Sequence, residues 1–128
     1  MVTKKITPDN MKQLAFDIMD YLNTHDMWES CIIYVSNQRF LSKGWGSQYD
    51  TYEKGITKKG TEYIIENDIN VKDYLEYSNP DTISLAFEGL LYDVINADLD
   101  YISKLDHKFL DKFGLYFELG HAWNMSAY

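Results

Sequence analysis

TISLAFEGLLYDVINADLDYISKLDHKFLDKFGLYFEL, residues 82–119, decides the fold. Thr82 to Phe87 is an apolar run of strand length. Glu88-Gly89 turns the chain, and the period of the pattern then changes. Leu91, Val94, Ile95, Leu99, Ile102, Leu105, Phe109 and Phe113 recur at helical spacing, as one helix or as two broken near Asn96-Ala97-Asp98. Gly114 stands where a helix ends in a left-handed residue, with Lys112 near the negative end of the helix dipole. Leu115 to Tyr128 is strand-like again, with Gly120 the expected site of a bulge.

Working upstream, Asn70-Val71-Lys72-Asp73 has the form of a capping box with Asp for Glu, and predicts a short helix to about Tyr77, closed by Pro80. Thr61 to Glu66 reads as a strand. Lys43 to Lys59 loses all periodicity, with Gly44, Gly46 and Gly55 among polar and aromatic residues, and reads as a long loop or irregular hairpin. Trp28 to Val35 is a strand rich in β-branched residues. Ser36-Asn37-Gln38-Arg39 is its turn, and Phe40-Leu41 begins the return strand. At the start, Thr7 caps a helix, Pro8 fits its first position and Asp9 favours the positive dipole end. Met11, Leu14, Ala15, Ile18 and Leu22 follow on one face.

The order is α-β-β-β-α-β-α-β. It predicts an α+β domain: a mainly antiparallel sheet with helices packed on one face. With 128 residues, a single domain spanning 1–128 is expected, large enough to bury an independent core. Ile18, Leu22, Ile33, Val35, Leu99, Ile102 and Phe109 are its expected core on the helix side.

The single cysteine, Cys31, makes no intramolecular disulfide, and it falls inside an apolar strand where a thiol is a packing residue. No apolar run approaches the roughly 20 residues that span a bilayer, and no leader pattern follows Lys4-Lys5. The expected location is the cytoplasm. The histidines, His25, His107 and His121, show no ligand spacing, so no metal and no cofactor is expected. No nucleophile elbow, phosphate loop or dinucleotide fingerprint occurs, and no catalytic residue is assigned. A hydrolase or nuclease reading would rest on Glu88 and His121.

Charge is the most informative property. The net of −8 is confined to the middle of the chain: residues 61–100 hold ten acids against Lys72 alone. Such a block disfavours direct nucleic-acid binding, because phosphate contacts need positive charge. It favours a basic partner, or serves as a solvated acidic face. Tyrosines interleave the acids, and a row of carboxylates with aromatics between them imitates a phosphate backbone with apolar anchors. Glu62, Glu66, Asp68, Asp73, Tyr74, Glu76 and Tyr77 are therefore the candidate partner-binding residues. The alternative is a small-ligand or nucleotide site built on Arg39, the only arginine, with the loop aromatics Trp45, Tyr49 and Tyr52.

Two stretches also carry a resemblance: Phe87-Glu88-Gly89-Leu90-Leu91-Tyr92, and Phe113-Gly114-Leu115-Tyr116-Phe117-Glu118-Leu119-Gly120-His121-Ala122-Trp123-Asn124. These resemble small proteins borne by phages and mobile elements of Gram-positive bacteria. In size and acidity the chain is also similar to anti-CRISPR and antirestriction proteins. The resemblance implies a mobile-element setting in the bacterial cytoplasm; the acidic, Tyr-rich block adds the expectation of a non-enzymatic protein that binds and inhibits a host nucleic-acid-processing defence enzyme. The resemblance assigns no catalytic residue.

Overall fold

The computed structural model describes residues 6–42 and 53–128. Helix α1 (Pro8–Thr24) is followed by β1 (Cys31–Val35), β2 (Gln38–Leu41), β3 (Glu53–Ile56) and β4 (Glu62–Glu66). A 3-10 turn (Val71–Asp73) leads to β5 (Ser84–Phe87), α2 (Leu90–Ala97) and α3 (Asp100–Leu105). A π turn (Asp106–Leu110) and a 3-10 turn (Asp111–Phe113) precede the hairpin of β6 (Phe117–Leu119) and β7 (Asn124–Ala127). The seven strands form one sheet in the order β3-β4-β2-β1-β5-β7-β6, and every pairing is antiparallel.

The α+β class and the antiparallel sheet follow the sequence reading. The order of elements differs in detail. The expected helix at 70–77 shrinks to a single 3-10 turn, capped by the Asn70 side chain accepting from the Lys72 amide at 3.0 Å. The expected last strand is a two-stranded hairpin. Gly120 ends β6 and starts its turn, where its amide donates to the Asn124 carbonyl at 3.0 Å, so no bulge is needed there.

Alternation along the strands separates two faces. Cys31, Ile33 and Val35 point with Phe40, Leu85, Phe87 and Met125 to the side covered by α1, α2 and the turns after α3, and all join one core. Ile32, Tyr34, Leu41, Ile64 and Ala86 point to the other side, where Val71 and Leu75 cover them. β1 is thus buried on both faces, which is why it reads as a continuous apolar run rather than an alternating one. The segment from about residue 69 to 78 acts as a strap across that second face.

The β1–β2 connection is two residues long. Ser36 and Asn37 have φ of 48° and 65°, the left-handed pair that matches the twist of a hairpin. The turn is tighter than expected, so Arg39 sits inside β2 and not in the turn. In α1, the Thr7 hydroxyl accepts from the Asn10 amide at 3.2 Å, and Met11, Leu14, Ala15, Ile18 and Leu22 are buried as the spacing predicts.

The C-terminal helical stretch is broken at Asp98–Leu99, where the Asp98 carboxylate accepts from the Asp100 amide at 3.0 Å. That break turns Leu99 outward to 59% exposure and leaves Ile102 half-buried, correcting the expected core. Beyond it the wide π turn brings consecutive Phe109 and Leu110 to the core, beside Leu105 and Phe113. Asp106 accepts from the Phe117 amide at 2.7 Å and ties this turn to β6; burial pushes its carboxyl above the usual range.

Cys31 is buried, and its thiol donates to the Met27 carbonyl at 3.1 Å. Burial pushes the thiol up to about 12. Since the thiolate is the reactive form, a thiol-specific disulfide reagent at pH 8 should leave the native protein unlabelled and label one group per chain in denaturant. Rapid labelling of the native state would show that β1 is open to solvent.

Candidate functional site

The strap and the strands beneath it carry most of the residues singled out by charge. β4 directs Glu62 and Glu66 to the strap side, flanking the buried Ile64. Asp68, Asp73 and Glu76 are exposed along the strap itself. Tyr74 and Tyr77 are 46% and 53% exposed. The buried residues of the segment, Val71, Leu75 and Ser78, hold it down, the Ser78 hydroxyl donating to the Leu75 carbonyl at 2.7 Å. At one end the Ile69 amide donates to the Asn37 carbonyl at 2.8 Å. At the other, buried Asn124 donates from Nδ2 to the Tyr77 carbonyl at 3.3 Å.

Arg39 does not stand as an open anion receptor. Its Nε and Nη2 donate to Glu66 Oε2 at 3.1 and 2.9 Å, and its guanidinium lies 4.2 Å from the centre of the Tyr74 ring. Nη1 reaches the Tyr34 hydroxyl at 3.5 Å. Arg39 and Glu66, placed in rival sites by the sequence, are ion-paired in one cluster. The arginine and its carboxylate are cross-strand partners in β2 and β4, at register Arg39↔Glu66. Trp45, Tyr49 and Tyr52, the other members of that alternative, lie outside the described residues.

Lys72, the one base of the acidic block, is also engaged. Its Nζ donates to the carbonyls of Glu76 and Ser78 at 3.2 and 2.6 Å. On this face the two cations are therefore engaged within the fold, while Asp68, Asp73 and Glu76 are exposed.

No protein family, no curated protein and no solved structure matches this chain.

Among the described residues, no group of three His, Cys, Asp or Glu side chains is placed to hold a metal ion, and no helix is long and apolar enough to cross a membrane. Glu88 is exposed between β5 and α2, and no side chain caps that helix. His121 is occupied by ring contacts: it stacks on Trp123 with centroids 5.2 Å apart and planes 8° from parallel, and its other neighbour is Tyr77 at 5.2 Å.

That stack extends the strap surface, and the sequence reading missed it. Trp123, 38% exposed, joins Tyr77 through the His121 ring between them, and Tyr128 lines a surface groove with Tyr77. No local pattern could have joined them, because the hairpin and the strap are more than forty residues apart in sequence. His121 and Trp123 are brought together in the turn between β6 and β7, which strand alternation does not describe.

Proposed function

We propose that this chain is a non-catalytic binding protein that covers the basic, nucleic-acid-binding surface of a defence nuclease, acting for a mobile element in the bacterial cytoplasm. One observation carries the reading. On the strap face both cations, Arg39 and Lys72, are satisfied within the fold, while Asp68, Asp73 and Glu76 face solvent beside exposed aromatic rings. Carboxylates steer a basic surface into register, and Tyr77 with the His121–Trp123 stack supplies the apolar centre that slows dissociation. Tyr74 serves a different purpose from Tyr77, because its ring is already covered by the Arg39 guanidinium.

The test is inhibition and binding measured against RNA-guided and restriction nucleases at several salt concentrations. Affinity should fall with ionic strength. Combining Asp68→Asn, Asp73→Asn and Glu76→Gln should slow association about tenfold at low salt, with little change in dissociation. Tyr77→Ala should instead speed dissociation. If the triple variant, shown to be folded by circular dichroism, binds and inhibits unchanged at low salt, the acidic strap is only a solvated face and the proposal fails.

A further inference from the structure

On the helix side of the sheet, opposite the strap, the C-terminal half of α1 and the turns after α3 line a cleft of about 430 Å3. Its electrostatics run against those of the whole molecule. Lys108 and Lys112 come from the π turn and the 3-10 turn, and Lys59 comes from the β3–β4 turn. Three of the twelve cationic side chains of a chain with net charge −8 thus border one cleft. Among the described residues none of the three is ion-paired with a carboxylate. The Lys108 and Lys112 ammonium groups lie over rings, Tyr21 at 5.2 Å and Phe113 at 5.3 Å.

The two carboxylates in the cleft are held by neutral donors. Asp20 Oδ1 accepts from the hydroxyls of Thr57 and Thr61 at 2.5 and 2.7 Å, and Asp17 accepts from the Gln13 amide at 3.0 Å. Each fixes a carboxylate in place without cancelling its charge. The floor is equally fixed: the Tyr21 and Tyr101 hydroxyls are hydrogen-bonded at 2.6 Å, and Phe109 meets the Tyr21 ring edge-on at 5.5 Å. The wall that carries Lys108 and Phe109 is itself a π turn, a geometry that recurs at functional sites.

A cleft lined by three ammonium groups without a carboxylate partner and by two anchored acceptors suits a ligand that carries both an anionic group and hydroxyls. Lysines act as point charges toward phosphate. Carboxylates accept from hydroxyl groups. The volume lies within the range of small-molecule sites. We propose that the cleft binds a small phosphorylated, hydroxyl-bearing molecule of the sugar phosphate or nucleotide class, its phosphate toward Lys59, Lys108 and Lys112 and its hydroxyls toward Asp17 and Asp20.

Calorimetric titration of the full chain with ribose 5-phosphate, AMP, ribose and inorganic phosphate tests this. Ribose 5-phosphate or AMP should bind, and ribose should not. Lys108→Glu and Lys112→Glu should each weaken binding roughly tenfold or more, the loss expected for one charged hydrogen bond. Lys104→Glu, an equal charge change at an exposed position outside the cleft lining, should leave it unchanged. Absence of binding by both phosphate esters overturns the proposal. So does an equal loss in Lys104→Glu, which would reveal nonspecific attraction, and so does inorganic phosphate binding as tightly as ribose 5-phosphate, which would leave Asp17 and Asp20 without a part. The strap plays no role in this titration, so its outcome is independent of nuclease binding.

Discussion

Phe40→Ala is expected to cost about 3–5 kcal/mol, the range for removing a fully buried phenyl ring. Phe40 lies in β2, opposite Ile33 in β1 and Ile65 in β4, and none of it is exposed. Its ring meets Phe16 at 5.4 Å and Tyr63 at 5.2 Å, both edge-on, so the change removes two aromatic pairs as well as buried area. It also sits where α1 crosses the sheet, a place with little freedom to collapse around a cavity. A domain of this kind is stable by about 5–15 kcal/mol in all, so the loss is a large share of the total. Two further variants calibrate it. Leu99→Ala, at an exposed position, should stay within about 0.5 kcal/mol. Ile102→Ala, half-buried, should fall between, at about 1–2 kcal/mol. Urea denaturation gives all three. If Leu99→Ala costs as much as Phe40→Ala, the break between α2 and α3 is wrong and the stretch is one helix with Leu99 facing inward.

Much of this architecture was legible because it is local. Thr7-Pro8-Asp9 states the start of α1 in three residues, and Gly114, at φ 69°, ends the last turn as its left-handed role demands. The unbroken apolar run of β1 announced a strand, and in retrospect its lack of alternation announced cover on both faces. What stayed hidden was decided by distant partners. The 70–77 segment has a helix-start pattern, yet its apolar residues Val71 and Leu75 are used to close the second face of the sheet, and the chain follows the sheet. Periodicity likewise carried Leu99 and Ile102 into the core: a break near Asn96-Ala97-Asp98 stood open in the sequence, but the count of apolar residues did not show that it turns Leu99 outward.

The candidate site divides the same way. The acidic block was visible as composition, and the tyrosines as its neighbours. Arg39 was visible only as a lone guanidinium, and its partner Glu66 is 27 positions away across a strand pairing. An arginine with no near carboxylate in sequence reads as open, but strand register brings one opposite it. The helix-side cleft was less legible still. Lys108 and Lys112 stand four apart in the helical stretch, an ordinary surface spacing, and only the fold sets Lys59 and Asp20 beside them.

Gly120→Ala is expected to cost about 1–3 kcal/mol, and to disturb the strap in particular. A methyl group at Gly120 would stand 2.7 Å from the Tyr77 carbonyl oxygen, 2.9 Å from Tyr77 Cβ and 2.7 Å from Asn124 Nδ2. Two of these atoms belong to the strap, one of them backbone, so no side-chain rotation relieves the contact. Either the strap lifts or the β6–β7 turn moves away. Both motions strain Asn124, which is fully buried and bridges the two segments, donating to the Tyr77 carbonyl and accepting from the His121 amide at 2.8 Å. Lifting the strap also separates Tyr77 from His121, and so dismantles the aromatic centre of the proposed interface. Gly60→Ala is the control. Gly60 has φ 97° with nothing near its missing methyl, so that change strains the β3–β4 turn alone. Denaturation should show both variants destabilised, but only Gly120→Ala should weaken the proposed nuclease binding under conditions where both are folded. A Gly120→Ala protein within about 0.5 kcal/mol of the parent would mean that the strap is not seated on the hairpin at Gly120.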